Sequence, residues 1–507
     1  MSLIDKTIEL FSPQLGLKRA VARQKIDIVK RGFEGASRTP RFDWNASGGS
    51  VNNEISASIK ILRARSHDLA QNNEYVTKAI NTHVDNIVGS GIVPKVSTGS
   101  DDRNKLIEEA WERWSERADP SGQLSFYGQQ ALAVQTMIES GEVFIRKKTT
   151  RFVDELTVPL QIQLFEPEYI DEQKNETKGK SKKVVNGIEF DNRNQRLAYW
   201  MFANHPSEQG LGGGGSQSKR IPASDVAHLY EPQRIQHRGV PWTAPIITNA
   251  RDLADYLNSE IYRKKLEACN VGVMMVPEEG TIIRKQDDGQ EAIVGSGIFD
   301  HNGTPVEKME PGSFLIARGG TDLKFNSPQI SAAFDPVVMR YIRGLAAGIR
   351  CPYELLSTDF ANVNYSSSRS SMLAYRRFVR RIQRNLVVQQ LCVPTWNWFL
   401  AYARLIGLIR EEELISVSWV YPNFEHINPI DDVEADIKAV RAGFKSTPQV
   451  VIENGGNPTK VVEQTVDHNQ KLDKHGIILD TDPRKVSQQG QMHLSQTPSG
   501  SDTSKPN

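Results

Sequence analysis

Few residues in this chain stand at spacings that could do chemistry, and each such group has a plainer reading. Gly179-Lys180-Ser181 ends like a phosphate-binding loop, in which backbone N–H groups cradle phosphates and the Lys reaches them. Five places before that Gly stands Lys174, where the motif needs a second Gly, and the segment lies in a Lys-rich insert instead of following a strand. A surface loop is expected there. The ten histidines include no His-Glu-x-x-His pair, and no Gly-x-Ser-x-Gly elbow exists for a serine hydrolase. Cys269, Cys351 and Cys392 are too widely spaced for a zinc site or a disulfide framework. Asp431, Asp432, Glu434 and Asp436 could in principle hold a divalent cation, which wants several carboxylate oxygens. Pro429 opens a helix there, however, and acids in a first turn complement the positive end of its dipole. The residues therefore nominate no catalytic group, no metal site and no cofactor, and an enzyme is not expected.

The longest charge-biased stretch runs from Phe360 to Arg410, with eight arginines and no Asp or Glu. At about 100° per residue, Met372, Tyr375, Val379, Ile382 and Leu386 share one side of a helix. Arg376, Arg377, Arg380, Arg381 and Arg384 spread over the other side. Three readings stand for that face: a solvated or salt-bridged surface, pairing with acids of a neighbouring subunit, or contact with phosphates.

The elements that position these groups read as several packed regions, because 507 residues exceed what one hydrophobic core sustains. Hydrophobic residues are 38% and charged residues 24%, with a net charge of +1, which excludes a disordered chain and a free-standing basic DNA binder. Near neutrality suits a protein that lets DNA slide through weak, distributed contacts better than one that grips phosphates. The start of the chain lacks the apolar core of a signal peptide and no apolar run approaches a membrane span, so a soluble protein in a reducing cytoplasm is expected.

Residues 1–50 read as a poorly ordered arm. Ile55 to Val88 carries apolar residues at helical spacing, as one long or two abutting helices, and further helices are expected near Arg103 to Arg117 and Phe126 to Ser140. Gly141 to Arg146, Leu160 to Phe165 and Leu197 to Phe202 read as strands. The inserts Gln173 to Lys183 and Gly210 to Arg220 read as mobile surface loops. After Pro245 a helix with an apolar stripe at Ile246, Ala250, Leu253, Leu257 and Ile261 runs to about Ala268. Short strands between turn signals fill Val271 to Phe325. Helices return at Pro336 to Ile349, Ser367 to Val393 and Pro394 to Leu408, and two short ones near Pro429 to Gly443 and Pro448 to Asn454 precede a disordered tail from about Lys485.

Arg234-Ile-Gln-His-Arg-Gly-Val-Pro-Trp242 resembles the lambda-type portal proteins of tailed bacteriophages, whose pattern places Arg, Gln, Arg-Gly and Pro at this spacing before a long helix. Other blocks agree in order. They are Leu62-Arg-Ala-Arg65 with Asp68 and Asn72-Asn73, Val84 to Gly89, Gly141-Glu-Val-Phe-Ile-Arg146, and Ala347-Gly-Ile349 with Pro352 to Leu356. Asp359, Asn364 to Ser367 and Arg369 follow, then the pair Trp396 and Trp398, then Pro429 to Ala435 and Gly443. The resemblance covers about Ile55 to Gly443; the two inserts and the tail match none of its blocks.

The resemblance implies an α+β, mainly helical portal fold with an α/β wing, a two-helix stem, a small β-rich clip insert and a helical C-terminal crown. Carried onto this sequence, residues 1–50 would be a flexible arm, 51–240 the first part of the wing, 241–268 the first stem helix, 269–330 the clip and 331–354 the second stem helix. Residues 355–425 would hold the channel loop and wing helices, 426–484 a crown-like helical region and 485–507 the tail. It further implies a homo-oligomeric ring, typically a dodecamer, at one capsid vertex of the virion, assembled in the host cytoplasm. Its partners would be terminase, the major capsid or scaffold protein, head-completion and tail connector proteins, and the double-stranded DNA in the channel, with no membrane.

Asn362, Asn364, Tyr365, Ser366 and Arg369 are then the channel-facing candidates, since Asn, Ser and Tyr can touch phosphates weakly; an ordinary interhelical turn is the alternative. Arg376, Arg380, Arg381, Arg384, Asp252 and Asp255 are the subunit-interface candidates. Arg234, Gln236, Arg238, Gly239 and Pro241 are the structural motif residues. Bracing of the stem by Arg234 and Arg238, through carbonyls or acids, is favoured over DNA contact. The competing classes are a packaging nuclease or ATPase, disfavoured by the missing motifs, and a DNA-binding head-assembly protein, disfavoured by the balanced charge.

Overall fold

The computed structural model describes residues 49–150, 158–178, 182–207, 217–269, 273–276, 283–285, 291–293, 315–318, 334–361, 364–410, 412–424, 429–456, 458–479, 482 and 484. The chain divides into Met1–Glu54 and Ile55–Asn507. Of the first unit residues 49–54 are described, entering a helix at Val51. The expected N-terminal arm otherwise lies outside the described residues, as does the expected tail.

Helices α1 (Val51–Asn72) and α2 (Glu74–Ile87) are separated at Asn73, whose side-chain oxygen accepts the Val76 N–H at 3.1 Å and so starts the second helix. β1 (Val93–Ser97), α3 (Asp101–Ser115) and α4 (Phe126–Ser140) follow, the last capped by the Ser125 hydroxyl. Then come β2 (Glu142–Thr149), β3 (Leu160–Phe165), β4 (Glu176–Lys178), β5 (Lys182–Val185), β6 (Ile188–Asp191), β7 (Arg196–Met201), β8 (Lys219–Pro222) and β9 (Val226–Tyr230). Two antiparallel sheets result, a three-stranded one in the order β3-β2-β9 and a five-stranded meander from β4 to β8. Along β2, Val143 and Ile145 join the helical core while Phe144 joins the core under the meander, as the alternation of a strand dictates.

The long helix α5 (Ile247–Cys269) is buried at Ala250 and Leu253, but Ile261 and Tyr262 further along are 51% and 67% exposed. Its stripe thus leaves the protein's own core partway along. β10 (Val273–Val276) pairs in parallel with β13 (Leu315–Arg318), and β11 (Ile283–Lys285) pairs antiparallel with β12 (Glu291–Ile293), short strands of the kind expected there. Helix α6 (Phe334–Ile349) meets α5, with Phe334 stacked on Tyr256 at 5.8 Å.

α7 (Tyr353–Ser357) and α8 (Tyr365–Ile382) come next; α8 continues through a π-helical segment, Gln383–Cys392, into α9 (Val393–Leu405). Tyr375, Val379, Ile382 and Leu386 are buried, as their spacing requires. Trp396 and Phe399 of α9 pack with Trp111, Trp114 and Phe126 at centroid separations of 4.7–5.6 Å, an aromatic centre joining α3, α4 and α9. β14 (Ser416–Val420) returns to pair antiparallel with β1, and α10 (Pro429–Arg441), α11 (Thr447–Glu453) and α12 (Pro458–His475) carry no buried residue.

Two expectations change. The Lys-rich insert 173–183 is not simply a loop, because β4 and β5 pair within it and extend the meander; residues 179–181, which carry the phosphate-loop lookalike, lie outside the described residues. The Gly-rich insert also lies outside them up to residue 216, but Lys219–Pro222 forms β8.

Phe399→Ala removes a fully buried ring from the aromatic centre and is expected to cost about 3–5 kcal/mol. Urea unfolding followed by tryptophan fluorescence reads this as an earlier midpoint; an unchanged midpoint contradicts the packing described.

Candidate functional site

Three of the blocks that drew the family resemblance, at Leu62 to Arg65, Gly141 to Arg146 and Arg234 to Trp242, converge on one buried carboxylate. Gly141 ends α4 in the left-handed region at φ 92° and turns the chain so that Glu142, the first residue of β2, enters the interior. Glu142 Oε1 accepts from Arg63 of α1 at 2.6 Å and from Arg238 at 2.7 Å. Its Oε2 accepts from the Gly239 N–H at 2.9 Å and contacts His228 Nε2 of β9 at 2.8 Å. Glu172 binds the same two guanidinium groups, at 2.5 Å from Arg63 and 3.1 Å from Arg238. Arg63 also donates to the Ser140 carbonyl and Arg238 to the Asn186 carbonyl.

Two glycines let the backbones approach. A Cβ on Gly239 would lie 2.1 Å from the Gly141 carbonyl oxygen, and one on Gly141 would lie 2.5 Å from the Val240 carbonyl carbon. Burial pushes the Glu142 carboxyl up, but the Arg238 charge, the His228 hydrogen bond and the Arg63 charge outweigh it and hold the group well below the usual carboxylate range. Burial, partly offset by Glu142, lowers His228 to about 4, so the imidazole stays neutral and donates.

A second node lies at the end of the same motif. Trp242 is buried, with the Arg350 guanidinium 4.2 Å from its ring centroid and His83 edge-on at 5.4 Å. His83 Nε2 donates to the Ile349 carbonyl at 2.9 Å while Nδ1 accepts from the Tyr375 hydroxyl at 3.0 Å, joining α2, α6 and α8. Burial lowers His83 to about 4, in keeping with those neutral roles. Glu231 binds Arg350 at 2.8 Å and Arg381 at 3.0 Å.

The motif residues divide. Arg238, Gly239, Gln236 and Pro241 are buried, and Gln236 closes the loop by donating to the Arg238 carbonyl at 2.9 Å and accepting the Arg234 N–H at 3.1 Å. Arg234 is exposed.

The channel candidates sit elsewhere. Asn362 lies outside the described residues. The loop expected over Leu356 to Ser367 is shorter, because Asn364 caps α8 by accepting the Ser366 N–H at 3.2 Å and so draws Tyr365, Ser366 and Arg369 onto the helix. Ser366 is exposed, and Arg369 donates to Asp432 at 3.3 Å.

Of the interface candidates, Arg376 and Arg380 lie 5.1 and 5.9 Å from the Phe424 ring centroid and Arg381 binds Glu231. Arg380, Arg381 and Arg384 are exposed, as are Asp252 and Asp255, and Asp255 accepts from Arg251 at 3.3 Å. Within the acid cluster, Asp431 and Asp432 occupy the first turn of α10, Glu434 binds Lys438 at 2.8 Å and Asp436 binds Lys445 at 3.1 Å. Among the described residues, Glu166, Glu168 and His205 alone combine metal-like spacing. His205 Nδ1 accepts the Ser207 N–H at 3.2 Å, which puts its proton on the Nε2 that faces Glu166 at 3.8 Å.

Sequence reasoning missed Glu142, Glu172, His228, His83 and Glu231 as partners of the motif. A Glu opening a strand otherwise followed by Val-Phe-Ile is the signal that could have found the first, since a buried carboxylate demands cations.

Comparison with known proteins places these elements in context. Residues 38–383 match the family described as phage portal protein, lambda family. The probable portal protein of Halomonas phage phiHAP-1 is 22% identical over 476 residues, covering 90% of this chain and 89% of that protein. Portal protein B of Escherichia phage lambda is 22% identical over 484 residues, covering 86% and 87%. Among solved structures, the neck of an empty GTA particle computed with C6 symmetry gives a TM-score of 0.40 at 13% identity, covering 82% of this chain and 97% of that one.

Glu142→Gln leaves two buried guanidinium groups short of a charge and is expected to cost about 3–5 kcal/mol, read from the urea midpoint. A shift under about 1 kcal/mol, the size of an exposed pair, contradicts a load on this carboxylate. The histidines add a pH dependence. A base whose folded pKa is depressed contributes stability that is complete above its unfolded pKa of 6.5 and declines as pH falls towards about 4. The unfolding midpoint should therefore fall between pH 6.5 and 4, and His83→Gln should flatten part of that slope. An equal slope in the variant contradicts the assignment to His83.

Proposed function

This chain belongs to the lambda family of phage portal proteins, and we propose that its copies close into a ring at one capsid vertex, through which viral DNA enters during packaging and leaves during ejection. The observation that carries this reading is the family match across residues 38–383, which spans both nodes of the Arg234–Trp242 motif. The ring is typically of twelve subunits in this family. The junction serves it mechanically: α1, β2 and β9 are clamped to the start of α5, so the stem helix leaves a braced body. The β-rich segment between α5 and α6 is the clip that docks terminase and later the head-completion and tail connector proteins. Helices α10 to α12 form the crown, and the major capsid or scaffold protein meets the outer wing.

On this reading Asn364, Ser366 and the start of α8 face the channel and touch phosphates weakly. The charge balance supports sliding passage: a net charge of +1 over the chain favours distributed contact over tight duplex binding. The role is structural, with no chemical step assigned to any residue.

The purified protein is expected to assemble into particles of about 680 kDa, twelve copies of 56.8 kDa, by light scattering or native mass spectrometry. A clean monomer or dimer under assembly conditions contradicts the reading. Hydrolysis of ATP or duplex DNA by the purified protein would favour the packaging-enzyme class instead.

A further inference from the structure

The outer face of α8 and the outer face of α3 carry opposite charge. Along α8 and its π-helical continuation, Leu373, Arg377, Arg380 and Arg384 follow one another at four-, three- and four-residue steps and are all exposed, which makes a single helical stripe. No Asp or Glu lies anywhere on these two segments, and among the described residues Arg377, Arg380 and Arg384 have no ion-pair partner in their own chain. On α3 and at its C-terminal cap, Asp102, Leu106, Glu109 and Glu116 lie on one exposed stripe, flanked by Asp101 and Glu112. Lys105 and Arg113 intersperse these acids without reversing the sign of the face. Asp102, Glu109 and Glu116 likewise have no ion-pair partner among the described residues. Each stripe also holds one exposed leucine, Leu373 at 43% and Leu106 at 37%.

The opposite faces of the two helices are spent inside the subunit. Trp111 and Trp114 bury α3 in the aromatic centre, and Tyr375 and Val379 bury α8, with Tyr375 bonded to His83 of α2. What remains outward is a basic stripe on one element and an acidic stripe on another.

We propose that the arginine stripe of α8 docks on the acidic stripe of α3 in a second copy of this chain. The inference rests on the ring reading above and names the surfaces that close the ring. Two different, complementary patches on one chain make a head-to-tail contact, and head-to-tail contacts close into rings when the rotation fits. Like-charged alternatives are penalised, so the pairing also fixes which face meets which. The acids of α5 are poorer partners, since Arg251 already neutralises Asp255 and Lys264 and Lys265 follow on the same helix.

The test is a charge swap in the full chain. Arg377→Glu/Arg380→Glu/Arg384→Glu is expected to drop the particle mass from about 680 kDa to that of single chains of 56.8 kDa, and Asp102→Lys/Glu109→Lys/Glu116→Lys is expected to do the same. Combining the two sets is expected to restore rings. The neutral sets, Arg377→Gln/Arg380→Gln/Arg384→Gln and Asp102→Asn/Glu109→Gln/Glu116→Gln, should each weaken assembly and lower the salt concentration that dissociates rings. Circular dichroism confirms that each variant keeps its helices.

If the unaltered chain forms no rings, both the ring reading and this inference fall. Rings that persist unchanged in either reversed set, or folded variants that are not rescued by the combination, overturn the inference alone. Loss of duplex binding with rings intact in the arginine variant also overturns it and assigns the stripe to phosphates.

Discussion

Glu142 carries its charge where no solvent reaches it, and the segments around it are arranged to neutralise it. Taking a carboxylate out of water costs several kcal/mol, and two more buried ions, Arg63 and Arg238, raise that cost unless all three meet at hydrogen-bond distance. They can meet only if α1, the turn after α4 and the chain before α5 arrive together, and the Gly141–Gly239 contact brings the last of these close enough. The network therefore acts less as a source of net stability than as a constraint on register. A one-residue slip of β2 would turn Glu142 to the other face and leave both arginines without their shared partner.

That constraint decides which charges remain outside. Arg238 is consumed in the junction and Arg381 is partly neutralised through Glu231. Arg377, Arg380 and Arg384 lie further round α8 or further along it, and they stay outward because the buried face of that helix is fixed by Tyr375 on His83. The same motif thus sets the internal bracing and, through Trp242, Arg350 and His83, the orientation of the helix that bears the external charge. Burial fades along α5 in the same way, leaving Ile261 and Tyr262 exposed once the helix passes beyond the braced core.

Much of the helical architecture was legible in the sequence because its signals are local. Asn73, Ser125 and Gly141 punctuate α1, α2 and α4 as their cap chemistry predicts, and the apolar spacing of α8 chose the correct buried face. The strands were harder. β9 is buried at all five positions, so it shows no alternation, and β1 finds its partner β14 more than three hundred residues later. The hairpin between β5 and β6 did have a local signal: Asn186 and Gly187, with φ of 49° and 79°, stand between Val184-Val185 and Ile188, and the Lys-rich flank obscured it. Helix α12 escaped because it buries nothing and its apolar positions are few. The motif blocks were legible as a family signature, but not that Arg63, Glu142 and Arg238 touch, since separations of 79 and 96 residues carry no local periodicity.

The proposed ring would seat this braced subunit, with one basic and one acidic outer face, around DNA, and single-particle class averages of the purified protein decide whether it forms one. End-on views with rotational symmetry and a central opening wide enough for a B-form duplex are predicted. Averages showing compact particles of one or two subunits with no opening would contradict the ring.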